Sequence, residues 1–235
     1  MGTHGTGWSR STTSQKAKTD MGDAHEIMSF AYEAGQLQRI PRAGWLLAGI
    51  QHPESVAEHS FRTGVLAYVI ALLEGANPDR AAALGLFHDL PETRSGDVPS
   101  VGRPYVTTTN ARQIAADQTA GLPHPLAEHI RDLINEHEDA KTPAATPEAR
   151  CSRDADKIDC LLKAREYQAA GNQLVQPWVD SMVNAVTTRT GKQLAAAAQE
   201  LSPDAWWAEF AARFGQRSAN VPPPNLAARR GSVAG

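Results

Sequence analysis

The sequence predicts a single all-α domain. Apolar residues recur every three to four positions through most of the chain, and helix-start signatures stand in front of those stretches. No convincing alternating strand pattern breaks the series. The domain is expected over residues 22–215. The Gly/Ser/Thr-rich segment 1–21 and the segment 216–235, with Pro222-Pro223-Pro224, read as disordered tails.

The elements follow in order. Asp23 and Glu26 form a capping-box pattern, followed at helical spacing by Ile27, Phe30, Ala31, Ala34 and Leu37. An irregular stretch, Arg39-Ile40-Pro41-Arg42-Ala43-Gly44-Trp45, leads on to Pro53. Ser55 and Glu58 make a second capping box, and the helix behind it aligns Val56, His59, Thr63, Leu66, Ile70 and Leu73 on one face. Asn77 then caps a helix with Pro78 at its first position, where a missing N–H does no harm. Ala81, Leu84, Gly85 and His88 share a face of that helix. Gly96 and Pro99 mark a loop, and weaker helices are expected at about 109–120 and 125–137. Thr146-Pro147 opens a long helix to about Ala170, and Pro177 and Pro203 start two more. The last holds Trp206, Trp207, Phe210 and Phe214, a stripe expected to pack into the core.

Composition narrows the function. A formal charge of −3, from 23 Lys+Arg against 26 Asp+Glu, gives neither a basic footprint for a nucleic-acid polymer nor a polybasic membrane patch. The longest apolar run, Val65 to Leu73, is short of the roughly 20 residues a membrane-spanning helix needs. The first twenty residues lack the apolar centre of a signal peptide, so a cytoplasmic protein is expected. Cys151 and Cys160 form no CxxC pair and read as reduced structural thiols.

The pair His88-Asp89 carries the chemistry. It closes an apolar helix, and Pro91 breaks the chain two residues later. Buried polar groups require partners, and a divalent cation is one such partner. His59 lies in the first turn of one helix and Asp156 in the middle of another. Two imidazoles and two carboxylates from three helices make a mixed nitrogen/oxygen site suited to Co, Mn, Fe, Ni or Zn. Taken singly, each of these residues has a plainer reading as a hydrogen-bonded core histidine or a solvated aspartate.

With these residues in hand, the chain resembles the HD-domain superfamily of metal-dependent phosphohydrolases, and within it the 5'-deoxynucleotidase-like branch. The resemblance rests on Gln38 to Trp45, on Glu54-Ser55-Val56-Ala57-Glu58-His59-Ser60, and on His88-Asp89-Leu90-Pro91-Glu92 with Gly96-Asp97-Val98-Pro99. Thr146 to Ala149 followed by Asp154-Ala155-Asp156-Lys157 completes it. It implies an HD-domain helical bundle with His59, His88, Asp89 and Asp156 on a divalent metal ion. It also implies Glu92 as an acid/base carboxylate and Asp97 against substrate or water. Arg42 is implied at phosphate, and Trp45 where an indole crowds the sugar 2' side. The implied reaction is hydrolysis of a (deoxy)nucleoside 5'-monophosphate, a small-molecule substrate, by a protein expected to be a homodimer. Segment 100–118 departs from the more charged stretch of that branch, which leaves the nucleotide open.

Several residues keep two readings. Arg62 binds phosphate or pairs with Glu58; Arg94 binds phosphate or forms a loop salt bridge. Trp45 is a pocket residue or an anchor between helices. His129 and His137 are read as surface or structural, although a dinuclear-iron oxygenase would need them as ligands. A non-enzymatic nucleotide-binding scaffold is the third reading.

Overall fold

The computed structural model describes residues 21–107 and 109–214; the two expected tails lie outside them, apart from Met21. The described chain is helical. Its only β pairing is an isolated antiparallel bridge between Pro41 and Ser55.

Helix α1 (Met21–Ala34) runs into a 3₁₀ turn at Gly35–Gln38. Asp23 lies inside its first turn, not at its cap. The stretch read as irregular contains a second 3₁₀ turn, Ala43–Ala48. Then come α2 (Val56–Glu74), α3 (Pro78–Phe87), the short α4 (Glu92–Ser95), α5 (Ala111–Gln118), α6 (His124–Glu138) and α7 (Pro147–Ala169). The chain continues through α8 (Gln176–Ala185), α9 (Arg189–Glu200) and α10 (Ala205–Phe214).

The caps read from sequence form. The Ser55 hydroxyl accepts from the Glu58 amide while the Glu58 carboxylate accepts from the Ser55 amide. Asn77 and Thr146 cap α3 and α7 through their side chains. Helix α9 has a signal that was missed, a Thr188 cap onto the Gly191 amide. Its buried face is made of the small residues Thr190, Gly191, Ala195 and Ala198, with no large apolar side chain to mark it in the sequence.

Helix α2 is the centre of the bundle, packed chiefly against α3 and α7. By length and composition it resembles a membrane span, but 44% of the relevant window is buried inside the protein. Gly85 sets how closely α3 approaches it: a Cβ there would lie 3.1–3.2 Å from the backbone of Thr63 and Gly64. That approach brings the N-terminal end of α2 beside the C-terminal end of α3, with α7 crossing both. One core cluster joins α2 and α7 with Trp45, Val175 and Val179. A second links Leu37, Val56 and Leu90 to α6. The aromatic stripe of α10 is not core: Trp206 is 85% exposed, and Trp207 and Phe210 are also exposed. The Phe214 side chain lies outside the described residues.

Candidate metal centre and substrate cavity

His59 is fully buried in the first turn of α2. Its Nδ1 lies 2.5 Å from Asp159 Oδ2. A carboxylate only accepts, so Nδ1 carries the proton and Nε2 faces inward. His88, the C-cap of α3, is fixed in the same way: its Nδ1 donates to the Gly85 carbonyl at 2.7 Å. The two Nε2 atoms therefore confront each other at 3.3 Å. Asp89 Oδ2 lies 3.1 Å from His88 Nε2 and 3.5 Å from His59 Nε2, and Asp156 Oδ1 lies 3.4 Å from His59 Nε2. Such separations suit neighbouring donors around one ion with bonds of about 2.1 Å.

The electrostatics ask for a cation at this point. Burial and the Arg42 charge depress the His59 imidazole, yet Asp156 and Asp159 outweigh them and lift it to about 9. Burial opposes ionisation of Asp89 and Asp156. Even so, His88 and Arg42 hold Asp89 well below the usual carboxylate range, and Lys157 and His59 do the same for Asp156. Without a metal, a proton on His59 supplies the positive charge; a divalent ion supplies more. The donor set fits that ion.

A cavity of about 470 Å³ opens on these residues, lined by His88, Asp89, Glu92, His137 and Asp156 and by the cations Arg42, Arg103, Lys141, Arg153 and Lys157. An adjoining cleft of about 220 Å³ shares Arg42, Arg103, Asp156 and Lys157 and is bordered by Trp45, Asp97 and Trp178. Glu138 also lines the cavity, so five cations stand beside four carboxyl residues, and an anionic ligand has cations to meet there despite the chain's net negative charge.

The family model described as HD domain matches residues 34–201. The chain belongs to the HD-domain family. The human 5'-deoxynucleotidase HDDC2 is 33% identical over 147 residues, covering 62% of this chain and 70% of that protein. The 5'-deoxynucleotidase hdd1 of Schizosaccharomyces pombe is 29% identical over 154 residues, covering 62% and 74%. Among solved structures, the PH0347 protein of Pyrococcus horikoshii superposes with a TM-score of 0.60 at 25% identity, covering 74% of this chain and 96% of that one.

Within this HD domain the other sequence candidates separate. Glu92 lies at the start of α4 on the cavity wall, and its Oε2 is buried without a hydrogen-bond partner. Burial, then Asp89 and Asp97, push its carboxyl up to about 9. Arg42 reaches Asp89 Oδ2 at 3.3 Å and lines both cavity and cleft. Asp97 accepts from the Ala43 amide at 2.7 Å, tying the segment that carries Arg42 to the loop after α4.

Two expectations change. Arg62 does not line the cavity: its Nε donates to Asp159 and its Nη1 to Glu166, so both α7 carboxylates already pair its guanidinium. Its pairing with Glu58 is not formed either, as that carboxylate is held by the cap. Trp45 is 2% exposed, fixed by its Nε1 donating to Glu54 at 3.0 Å and by packing on Tyr167 and Trp178. It anchors the connection between α1 and α2 and borders the small cleft. Arg94 forms the expected loop salt bridge, with Glu33.

Two residues were missed. Asp159 stands one turn after Asp156 on α7 and orients His59, which the spacing of the two aspartates foreshadowed. Lys157 donates to Asp156 at 2.7 Å and lines the cavity. His137 was read as surface or structural. It is buried, bonded to Ser152 at 2.9 Å, with its ring 4.8 Å from that of His88. Burial, then His88, push it down to about 3, so it is neutral. His129, by contrast, is exposed. Cys151 and Cys160 are free and buried, and burial pushes them up to about 11 and about 12, as inert structural thiols.

Proposed function

We propose that this HD-domain protein is a divalent-metal-dependent phosphomonoesterase, hydrolysing (deoxy)nucleoside 5'-monophosphates to nucleoside and phosphate. The observation that carries the reading is the convergence of four donors, two of them imidazole Nε2 atoms 3.3 Å apart, beside a cavity that also presents cations. The names of the HDDC2 and hdd1 relatives support the substrate class.

His59, His88, Asp89 and Asp156 would hold the metal. A divalent ion there supplies Lewis acidity, drawing charge from a phosphoryl oxygen and making water a stronger nucleophile at neutral pH. Arg42 and Lys157, already beside Asp89 and Asp156, bind the substrate's phosphate oxygens. Glu92 enters protonated, as its burial beside Asp89 and Asp97 favours, and gives its proton to the leaving 5'-oxygen. The phosphorus–oxygen bond to the sugar breaks as the oxygen of water adds to phosphorus, and the proton that water loses restores the Glu92 carboxyl. Asp97 acts at one remove by holding the Arg42 segment. Residues 22–215 constitute the catalytic domain.

The test is phosphate release from ribo- and deoxynucleoside 5'-monophosphates by protein loaded in turn with Co, Mn, Fe, Ni or Zn. Release abolished by chelation and restored by metal is expected. Metal-loaded protein that releases no phosphate from any of them would leave the scaffold reading. The dinuclear-iron reading loses one of its two extra histidines, since His129 faces solvent.

A further inference from the structure

The cavity carries charged side chains that the reaction does not use. Asp89, Glu92, Asp156, Arg42 and Lys157 are assigned to the metal, the proton and the phosphate that is cleaved. Arg103, Lys141, Arg153 and Glu138 also line it and are not. Three cations against one carboxylate leave a surplus of two, close to the charge of about −1.5 to −2 on one phosphate group near neutral pH. Elsewhere the bundle pairs its arginines: Arg62, Arg80, Arg94 and Arg112 each meet a carboxylate. Among the described residues Arg103, Lys141 and Arg153 form no ion pair, with Glu138 or with any other carboxylate.

Arg153 is the anchor of this group. It is partly buried on α7, three residues before Asp156 and four before Lys157, so the three side chains share one helix face. A guanidinium presents five donors and no acceptor. Here Nε is buried without a hydrogen-bond partner, and Nη1 reaches the Ala185 carbonyl only at 3.5 Å. The protein leaves this cation short of acceptors at the wall of a cavity. Lys141 ends the 3₁₀ turn after α6, four residues past His137, whose ring lies 4.8 Å from that of His88. Each cation is thus set off from the metal end by about one helical turn, roughly 5.4 Å along the axis. We propose that Arg153 and Lys141 form a second phosphate subsite, so that the preferred substrate is a nucleotide bearing a further phosphate group besides the one hydrolysed. This rests on the phosphomonoesterase reading and narrows its substrate class. A neutral base would leave the two surplus charges without a counter-ion; phosphate oxygens meet them, and a guanidinium fits such oxygens two at a time. The further phosphate belongs either to the sugar's 3'-oxygen or to a diphosphate chain, and the ligands of the test separate the two.

The experiment is calorimetric titration of the full chain, loaded with Mn, in a Glu92→Gln background that suppresses turnover. The ligands are 2'-deoxyadenosine 5'-monophosphate, its 5'-diphosphate and its 3',5'-bisphosphate. At least one doubly phosphorylated ligand should bind about 10- to 100-fold tighter than the monophosphate, as hydrogen bonds to charged groups contribute. Arg153→Gln and Lys141→Ala, each added to that background, should cut this ratio by about fivefold or more, and together they should bring it near one. Metal content and helical circular dichroism should not change, and exposed Lys141 reports even where Arg153→Gln disturbs the fold. Lys192→Ala removes the same charge from α9, outside the cavity, and should leave the ratio as it was. A preference for the bisphosphate alone puts the second phosphate on the sugar; a preference for the diphosphate alone puts it in the chain. Equal constants for all three ligands would overturn the proposal. So would a preference that persists in the double variant, which would trace it to the metal. Phosphate release by the wild type is scored separately. Protein that prefers the bisphosphate yet releases no phosphate would overturn the phosphomonoesterase reading and keep the subsite, and protein that cleaves the monophosphate but binds all three alike would do the reverse.

Discussion

Asp159→Asn separates metal chemistry from packing. Asp159 is fully buried and serves two partners: His59 Nδ1 at 2.5 Å on one oxygen and Arg62 Nε on the other. Asparagine keeps the shape and one acceptor for the imidazole N–H but removes the negative charge. Unit charges about 4 Å apart interact by about 4 kcal/mol at an effective dielectric near 20. That gross figure overstates the net effect, because burying the carboxylate opposes it. Carboxylates behind a ligating histidine contribute about 10- to 100-fold to metal affinity, or roughly 1.4 to 2.7 kcal/mol. Arg62 keeps Glu166 as a partner, so the helices need not separate. We expect a 10- to 100-fold rise in the metal Kd, measured by competition with a chromophoric chelator. Saturating metal should recover most of kcat, and circular dichroism should be unchanged. A Kd within twofold of wild type in a folded variant would refute the claim that Asp159 sets the basicity and orientation of His59.

The remaining predictions test neighbouring parts of the site. Glu92→Gln should retain metal, measured by elemental analysis, and lose about 10²- to 10⁴-fold in kcat; loss of the metal would make Glu92 a ligand. Trp45→Ala should lower stability by about 3–5 kcal/mol in denaturant titrations, as buried aromatics do. It should leave the ribo-to-deoxy ratio of kcat/KM unchanged, and a raised ratio would restore the indole to the sugar pocket. Chelated protein should lose thermal stability as pH rises from about 6.5 to 9. The His59 pKa, raised to about 9, gives stabilisation that is complete below its unfolded value and lost as pH climbs through the folded one. Glu92 acts in the same direction: the unfolded carboxyl ionises from about 4.5 upward while the folded one resists up to about 9. Metal loading should flatten that pH dependence.

The metal donors were legible in the sequence because each is tied to a local signal. The Ser55–Glu58 box fixes the start of α2 and with it the inward phase of His59. The Asn77-Pro78 start fixes α3 and so places His88 at its end. Whether those ends meet depends on the Gly64–Gly85 approach, a pair contact that no periodicity encodes. The side-chain roles that failed were those decided by competition. An arginine one turn past a ligand has equal claim to phosphate or to a carboxylate until α7 is placed, and then Asp159 and Glu166 take Arg62. A tryptophan in an irregular segment reads as a pocket residue or an anchor until Tyr167 and Trp178, 122 and 133 residues downstream, enclose it. His137 takes the structural one of its two readings, since on α6 alone it is one polar residue near a helix end, and the hydroxyl of Ser152 and the ring of His88 hold it at the cavity wall. Local rules thus supply the donors and their helices. The surrounding shell, which decides how tightly those donors hold a cation and which charges remain free for a phosphate, comes from contacts made across the bundle.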